Sequence, residues 1–212
     1  PAGRVLGHGG MTKSRSVARL KVTLEEVEPK VVRRLEVPLK IRLDRLHLAL
    51  QAAMGWTNSH LFEFRAGEVG WGVPDPDFGD GPLPAASATL FDVVEDTGAR
   101  TIRYIYDFGD DWEHRIALER TCEAEPELLY PRLIAAQGRC PPEDVGGPWG
   151  YAEFLAAIGD PEHEEHERLL TWYGSPFDPH QPDIEQLAAA LERLARRWAP
   201  RSRKPKPVPP LP

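Results

Sequence analysis

Apolar and polar residues alternate from Val17 to Val27, where Val17, Leu20, Val22, Leu24 and Val27 are interleaved with Arg19, Lys21, Thr23 and Glu25. Alternation rich in Val, Leu and Thr predicts a half-buried β-strand rather than a helix. Glu28-Pro29-Lys30 interrupts it, and Val31–Leu39 supplies a second strand ending at Pro38, so the two should form a hairpin. The period then changes. Between Leu43 and Met54 the apolar residues fall at 43, 46, 50, 53 and 54, the spacing of an amphipathic helix, and Gly55 is its stop signal.

Further along, His60–Arg65 and Glu68–Val73 read as two short strands around Ala66-Gly67, followed by a Pro/Gly/Asp loop over 74–84. Thr89–Val94 reads as a capped helical turn, Thr101–Asp107 as a strand with Ile102, Tyr104 and Tyr106 on one face, and Trp112–Thr121 as its antiparallel return. This order predicts an α+β fold, a β-grasp (ubiquitin-like) roll extended by a hairpin; TLFDVVEDTGARTIRYIY is similar to the short helix and final strand of that roll. Beyond Tyr130 the pattern becomes helical, with helices expected at 151–158, from the Asp160-Pro161-Glu162 start signal to Tyr173 before Gly174, and at 183–198. These should cover an exposed sheet face. The expected organisation is a segment 1–15 outside the fold, one domain over 16–198 with a β-grasp-like part (16–122) and a helical C-terminal part (130–198), and a basic Pro-rich tail over 199–212.

Charge sharpens this division. The 212 residues carry 26 Lys and Arg against 33 Asp and Glu, yet residues 1–21 hold five bases and no acid, and residues 201–212 hold four bases and no acid. The body between them therefore has 17 bases against 33 acids, a net charge of −16. Such a surface repels a phosphate backbone, so nucleic acid could engage only through the basic tails. No apolar run approaches the roughly 18 residues of a membrane span, and a cytoplasmic protein without membrane association is expected. Cys122 and Cys140 are far apart, with no CxxC, and are read as reduced thiols.

The densest polar run is Asp107-Phe108-Gly109-Asp110-Asp111-Trp112-Glu113-His114, at the expected hairpin tip. Two readings compete. Asp and Gly are what a tight turn demands, while three Asp, one Glu and one His could hold a divalent cation, with Asp107, Asp110 and His114 as ligands, or seat a general acid and base. His60 could meet His114 across the sheet, or donate to a backbone carbonyl as buried histidines do. His163 and His166 lie on one helical face among glutamates, a spacing short of a metalloprotease motif. The run Cys140–Gly150 combines a thiol, Glu143, Asp144 and a Gly-Gly turn. It is either a functional loop or a structural crossing with Trp149 as a core anchor. Any pocket should lie where this loop meets the hairpin tip and His60.

The runs GWTNSHLFEF, YIYDFGDDWEHRIALER, CPPEDVGGPWGYAEFLAAIGDPEHEEHERLLTWYG and FDPHQPDIEQLAAALERL resemble the Ri-plasmid ORF-three-like family, also labelled TnpR-like passengers of an insertion element. The resemblance spans about Val17 to Leu194 and implies an association with plasmids or mobile elements. It implies no recombinase chemistry, since Ser14 and Ser16 precede the first strand and no basic helix-turn-helix follows. The expected role is a non-enzymatic accessory module with a protein partner. The alternatives are a metal-dependent or acid/base enzyme using Asp107, Asp110, Glu113 and His114, joined by His60, Glu143 and Asp144, in a ligand cleft that Asp111, Trp112 and Cys140 complete, and a nucleic-acid accessory acting through its tails.

Overall fold

Strands β1 (Ser16–Leu24) and β2 (Val31–Pro38) pair antiparallel from Val17 opposite Pro38 to Leu24 opposite Val31, the hairpin the alternation predicts. The computed structural model describes residues 16–75 and 81–199; the N-terminal segment and nearly all of the basic tail lie outside the described residues. Helix α1 (Leu43–Met54) has the predicted bounds, and ends where Gly55, at φ 85°, returns its N–H to the Gln51 carbonyl. Strands β3 (Phe62–Ala66) and β4 (Val69–Gly72) form a second hairpin, and β5 (Leu83–Pro84) adds a short parallel edge to β4. Helix α2 (Leu90–Thr97) is longer than the expected single turn. A reciprocal Thr89–Asp92 capping box opens it and Gly98 closes it.

Strands β6 (Thr101–Tyr106) and β7 (Trp112–Glu123) complete the central pairing, with Tyr104 opposite His114 and Tyr106 opposite Trp112. With β8 (Arg132–Gln137) the sheet order is β5-β4-β3-β6-β7-β1-β2-β8. A ubiquitin-like roll pairs its first and last strands directly; here β7 stands between β1 and β6 and bonds to both. The alternation fixes which side of the sheet is covered. Phe62, Phe64, Ile102, Tyr104, Tyr106, Trp112, His114 and Ile116 are buried, while Arg65, Thr101, Arg103 and Arg115 between them are exposed. Helix α1 packs on the buried face, where His47 stacks on Phe62 with ring centroids 3.6 Å apart.

The C-terminal part departs from its helical expectation at β8. This strand pairs with β2 at the sheet edge, and its half-exposed residues lack the strict alternation that marks a strand in sequence. Buried Arg33 of β2 ties the region together by donating to the carbonyls of Val32, Ala53, Gln137 and Gly138 at 2.8–3.0 Å. Helix α3 (Gly147–Gly159) begins four residues before the predicted start, and Trp149 on its first turn is 77% exposed, not a core anchor. Tyr151 and Phe154 are the buried aromatics of that helix.

Asp160 does not cap the next helix. It follows α3, accepts from Glu162 N at 3.0 Å in an Asx turn, and leaves α4 (His166–Tyr173) to start later. Helix α5 (Ile184–Trp198) has the predicted Asp183 cap and buries Leu187, Leu191 and Ala195, packing on α1 and β8. No described helix is long and apolar enough to cross a membrane.

Candidate functional site

The segment leaving α1 is fixed from below before it carries any chemistry. Trp56 stacks on Tyr106 at 5.1 Å and donates its indole N–H to the Pro141 carbonyl at 2.9 Å, joining the end of α1 to the Cys140–Gly150 loop. Asn58, at φ 62°, donates its backbone N–H to Gln51 Oε1 at 3.0 Å, and its side-chain oxygen accepts from His47 Nε2. Because that nitrogen donates, His47 Nδ1 accepts, and the Tyr104 hydroxyl donates to it at 2.8 Å while receiving Gln51 Nε2 at 3.0 Å. Burial pushes the His47 pKa down to about 4, which matches this neutral tautomer.

Above this buried network lies a second one, half exposed. The Tyr106 hydroxyl accepts the backbone N–H groups of Ser59 and His60 and donates to Glu143 Oε1 at 2.6 Å. Glu143 Oε2 accepts from both the backbone N–H and the hydroxyl of Thr57, at 2.8 and 2.6 Å. With the Thr57 hydroxyl thus donating, the Ser59 hydroxyl 2.7 Å away donates to it. Burial, reinforced by Glu143, raises the Tyr106 pKa, so the phenol keeps its proton.

The hairpin tip supplies the third component. Asp107, at φ 58°, uses Oδ1 for turn chemistry, accepting Gly109 N at 3.0 Å, and leaves Oδ2 facing the His60 ring at 3.5 Å. From the other side, Asp144, at φ 60°, places Oδ1 2.9 Å from the same His60 Nε2. Asp110 Oδ2 accepts Gly146 N at 3.1 Å, clamping hairpin tip to loop. Gly147 allows this closeness, since a Cβ there would sit 2.4 Å from the Asp110 carbonyl oxygen. Asp107 therefore divides its two oxygens, Oδ1 meeting the demand of the turn and Oδ2 facing His60.

Ligand atoms of His60, Asp107 and Asp144 all lie within 4.8 Å of one another. Their side chains are 30%, 13% and 69% exposed, so the group opens to solvent on the Asp144 side. The atom His60 Nε2 is itself covered, and although close to two carboxylates it is aligned for a hydrogen bond with neither. Geometrically, two carboxylate oxygens approach one imidazole nitrogen at 2.9 and 3.5 Å without hydrogen-bond alignment.

Several expected ligands stand elsewhere. His114 is fully buried beneath the Trp56 and Tyr104 rings, with Nδ1 against the Tyr104 and Trp112 carbonyls, and burial lowers its pKa to about 4. It is the carbonyl-bonded core histidine, whereas His60 faces carboxylates. The expected ligands Asp107, Asp110 and His114 do not converge, since alternation along β7 turns His114 into the core and Asp110 accepts from Gly146 N; the side chains that do converge are Asp107, His60 and Asp144. Glu113 lies on the opposite sheet face, paired with Arg103, and Asp111 is exposed on the turn. Trp112 is buried 5.8 Å from Trp56 as part of the floor.

Burial raises the Cys140 pKa to about 12, which removes it as a nucleophile. His163 Nδ1 and His166 Nδ1 bond to Glu165 N and to the Ala157 carbonyl, away from the junction. Sequence reading missed Tyr106 and Thr57. Tyr106 shares one strand face with Ile102 and Tyr104, that face is buried, and only its hydroxyl reaches the junction.

Residues 16–186 match the family described as plasmid pRiA4b ORF-3-like protein. The chain belongs to this family. It is 55% identical over 190 residues to the uncharacterized protein y4hQ of Sinorhizobium fredii (strain NBRC 101917 / NGR234), a match covering 89% of this chain and 97% of that one. It is also similar to the crystal structure of MM3350, a protein of unknown function from Methanosarcina mazei Go1, with a TM-score of 0.74, 33% identity, and coverage of 81% of this chain and 97% of the other. All the junction residues fall inside the span that matches the pRiA4b ORF-3-like family, whereas most of α5 lies past it.

Proposed function

We propose that the junction of His60, Asp107 and Asp144 is the working centre of this family member and that it binds a divalent transition ion, Zn²⁺ or Mn²⁺. The observation that carries this reading is the convergence of one imidazole nitrogen and two carboxylate oxygens within 4.8 Å, with the nitrogen unaligned to either oxygen. A cation relieves the repulsion between carboxylates and takes the lone pair that His60 Nε2 offers in its Nδ1–H tautomer. One imidazole with two carboxylates suits Zn²⁺ or Mn²⁺ better than Ca²⁺, which prefers six to eight oxygens.

Three protein ligands leave open positions, and the exposed Asp144 turns them toward solvent, an arrangement suited to polarising a bound oxygen substrate or water. Tyr106 and Glu143 hold the backbone of Ser59 and His60 in place beside it. Calorimetric titration of Zn²⁺ and Mn²⁺ into the protein and into its His60→Ala variant tests this. Single-site binding lost in the variant is expected; equal weak binding in both would refute it.

The second reading, an accessory module that docks a protein partner, is favoured by Leu61, Phe108 and Trp149, which are 55%, 55% and 77% exposed on the segments that build the junction. An accessory role beside plasmid or mobile-element functions rests on the family's plasmid description. We also infer that the architecture is a β-grasp-like roll with β7 inserted beside its first strand; the hairpin–helix–hairpin order supports it.

A further inference from the structure

A cleft of about 960 Å³ opens at the other end of α1, between the start of β1, the end of β2, α2, the 124–130 segment and the C-terminal turn of α5. Its size is at the upper end of the range for small-molecule sites, roughly 300–1,000 Å³. Ile41, Phe91, Leu129 and Trp198 give it apolar walls. Its charged lining is of one sign: Lys40, Arg42 and Arg45 contribute, and no Asp or Glu does, in a chain whose body carries −16.

The three cations are not equally committed. Arg42 is held by Asp44 at 2.6 Å. Lys40 and Arg45 lie over aromatic rings of the cleft, Lys40 Nζ 5.4 Å from the Phe91 centroid and Arg45 Cζ 5.3 Å from that of Trp198. Neither is ion-paired to a carboxylate among the described residues. Asp92 feels the Lys40 charge, but its carboxylate is committed to the Thr89 cap. The acids of the adjoining segment, Glu123, Glu125 and Glu127, are exposed and do not line the cleft. Two charges resting on rings at the mouth of an apolar cleft match a ligand with one anionic end and a hydrocarbon body.

We propose that this cleft binds a small anionic amphiphile, an aliphatic monocarboxylate, with the carboxylate at Lys40 and Arg45 and the chain between Ile41, Phe91 and Trp198. The site is separate from the cation junction and does not depend on it. The test is calorimetric titration of octanoate, octanol and octyltrimethylammonium into the full chain, its Lys40→Gln/Arg45→Gln variant and its His60→Ala variant. Both replaced cations are exposed, so the variant should fold, and its thermal midpoint checks this.

Expected are one octanoate site in the wild type and in His60→Ala, affinity at least about tenfold weaker in the double variant, and octanol and the cationic amphiphile weaker by a similar factor in the wild type. Absence of octanoate binding, an unchanged affinity in the folded double variant, or octanol binding as tightly as octanoate would each overturn the proposal.

Discussion

The Tyr106 hydroxyl and Glu143 Oε1 stand 2.6 Å apart, a bond between the end of a central strand and a loop 37 residues further along the chain. Through it a buried aromatic of the core holds the surface segment that carries His60, because the same hydroxyl accepts the N–H groups of Ser59 and His60. Replacing Tyr106 with Phe should leave those two donors and one carboxylate oxygen unmatched. The expected cost is about 1–3 kcal/mol, read as a thermal midpoint lowered by roughly 2–4 °C per kcal/mol, with weakened Zn²⁺ or Mn²⁺ binding. Lost stability with unchanged ion affinity would show that the bond serves folding alone.

Gly147 controls whether hairpin tip and loop can touch. At φ 70°, with the Asp110 carbonyl oxygen 2.4 Å from where a Cβ would stand, Gly147→Ala must push the two segments apart. The variant should lose about 1–3 kcal/mol and bind the ion at least about tenfold more weakly, while sheet amides stay protected from hydrogen exchange. Exchange should rise selectively over residues 107–111 and 140–147. An unaltered pattern there would contradict the role assigned to this close approach.

Two buried histidines set an acid limit on stability. His47 and His114 have pKa values pushed by burial from 6.5 down to about 4. Between these limits the unfolded chain takes up protons that the folded chain refuses, so this stability is complete above about pH 6.5 and is lost as pH falls toward 4. Urea unfolding from pH 7.5 to 4.5 should show a decline on the order of a few kcal/mol per ring, with the slope reduced in His47→Gln. A flat profile over that interval would mean that the rings protonate in place.

Legibility followed burial and locality. The β1–β2 hairpin and α1 were readable because each has one buried face, so periods of 2 and 3.6 are written into their residues. Strand β8 was not, because an edge strand with half-exposed residues needs no clean alternation and is held by β2 and Arg33, 95 or more residues away in sequence. Asp160-Pro161 carries a helix-start signature that an Asx turn satisfies equally well.

At the candidate site, composition pointed to the two loops and to His60 that the fold brings together, but not to which side chains of those loops meet. The choice between His60 and His114 depends on which face of β7 the ring takes, and this follows from pairing with β6. The part played by Asp144 depends on the Asp110–Gly146 clamp, a contact between segments 36 residues apart.

The central claim is that His60, Asp107 and Asp144 form one ion site. Anomalous diffraction from crystals equilibrated with Mn²⁺ or Zn²⁺, collected at the absorption edge of the ion, tests it most directly. The account predicts a peak bonded to His60 Nε2, Asp107 Oδ2 and Asp144 Oδ1, at about 2.0–2.2 Å for Zn²⁺. A peak at other side chains, or none at this junction when the ion is in excess, would contradict it.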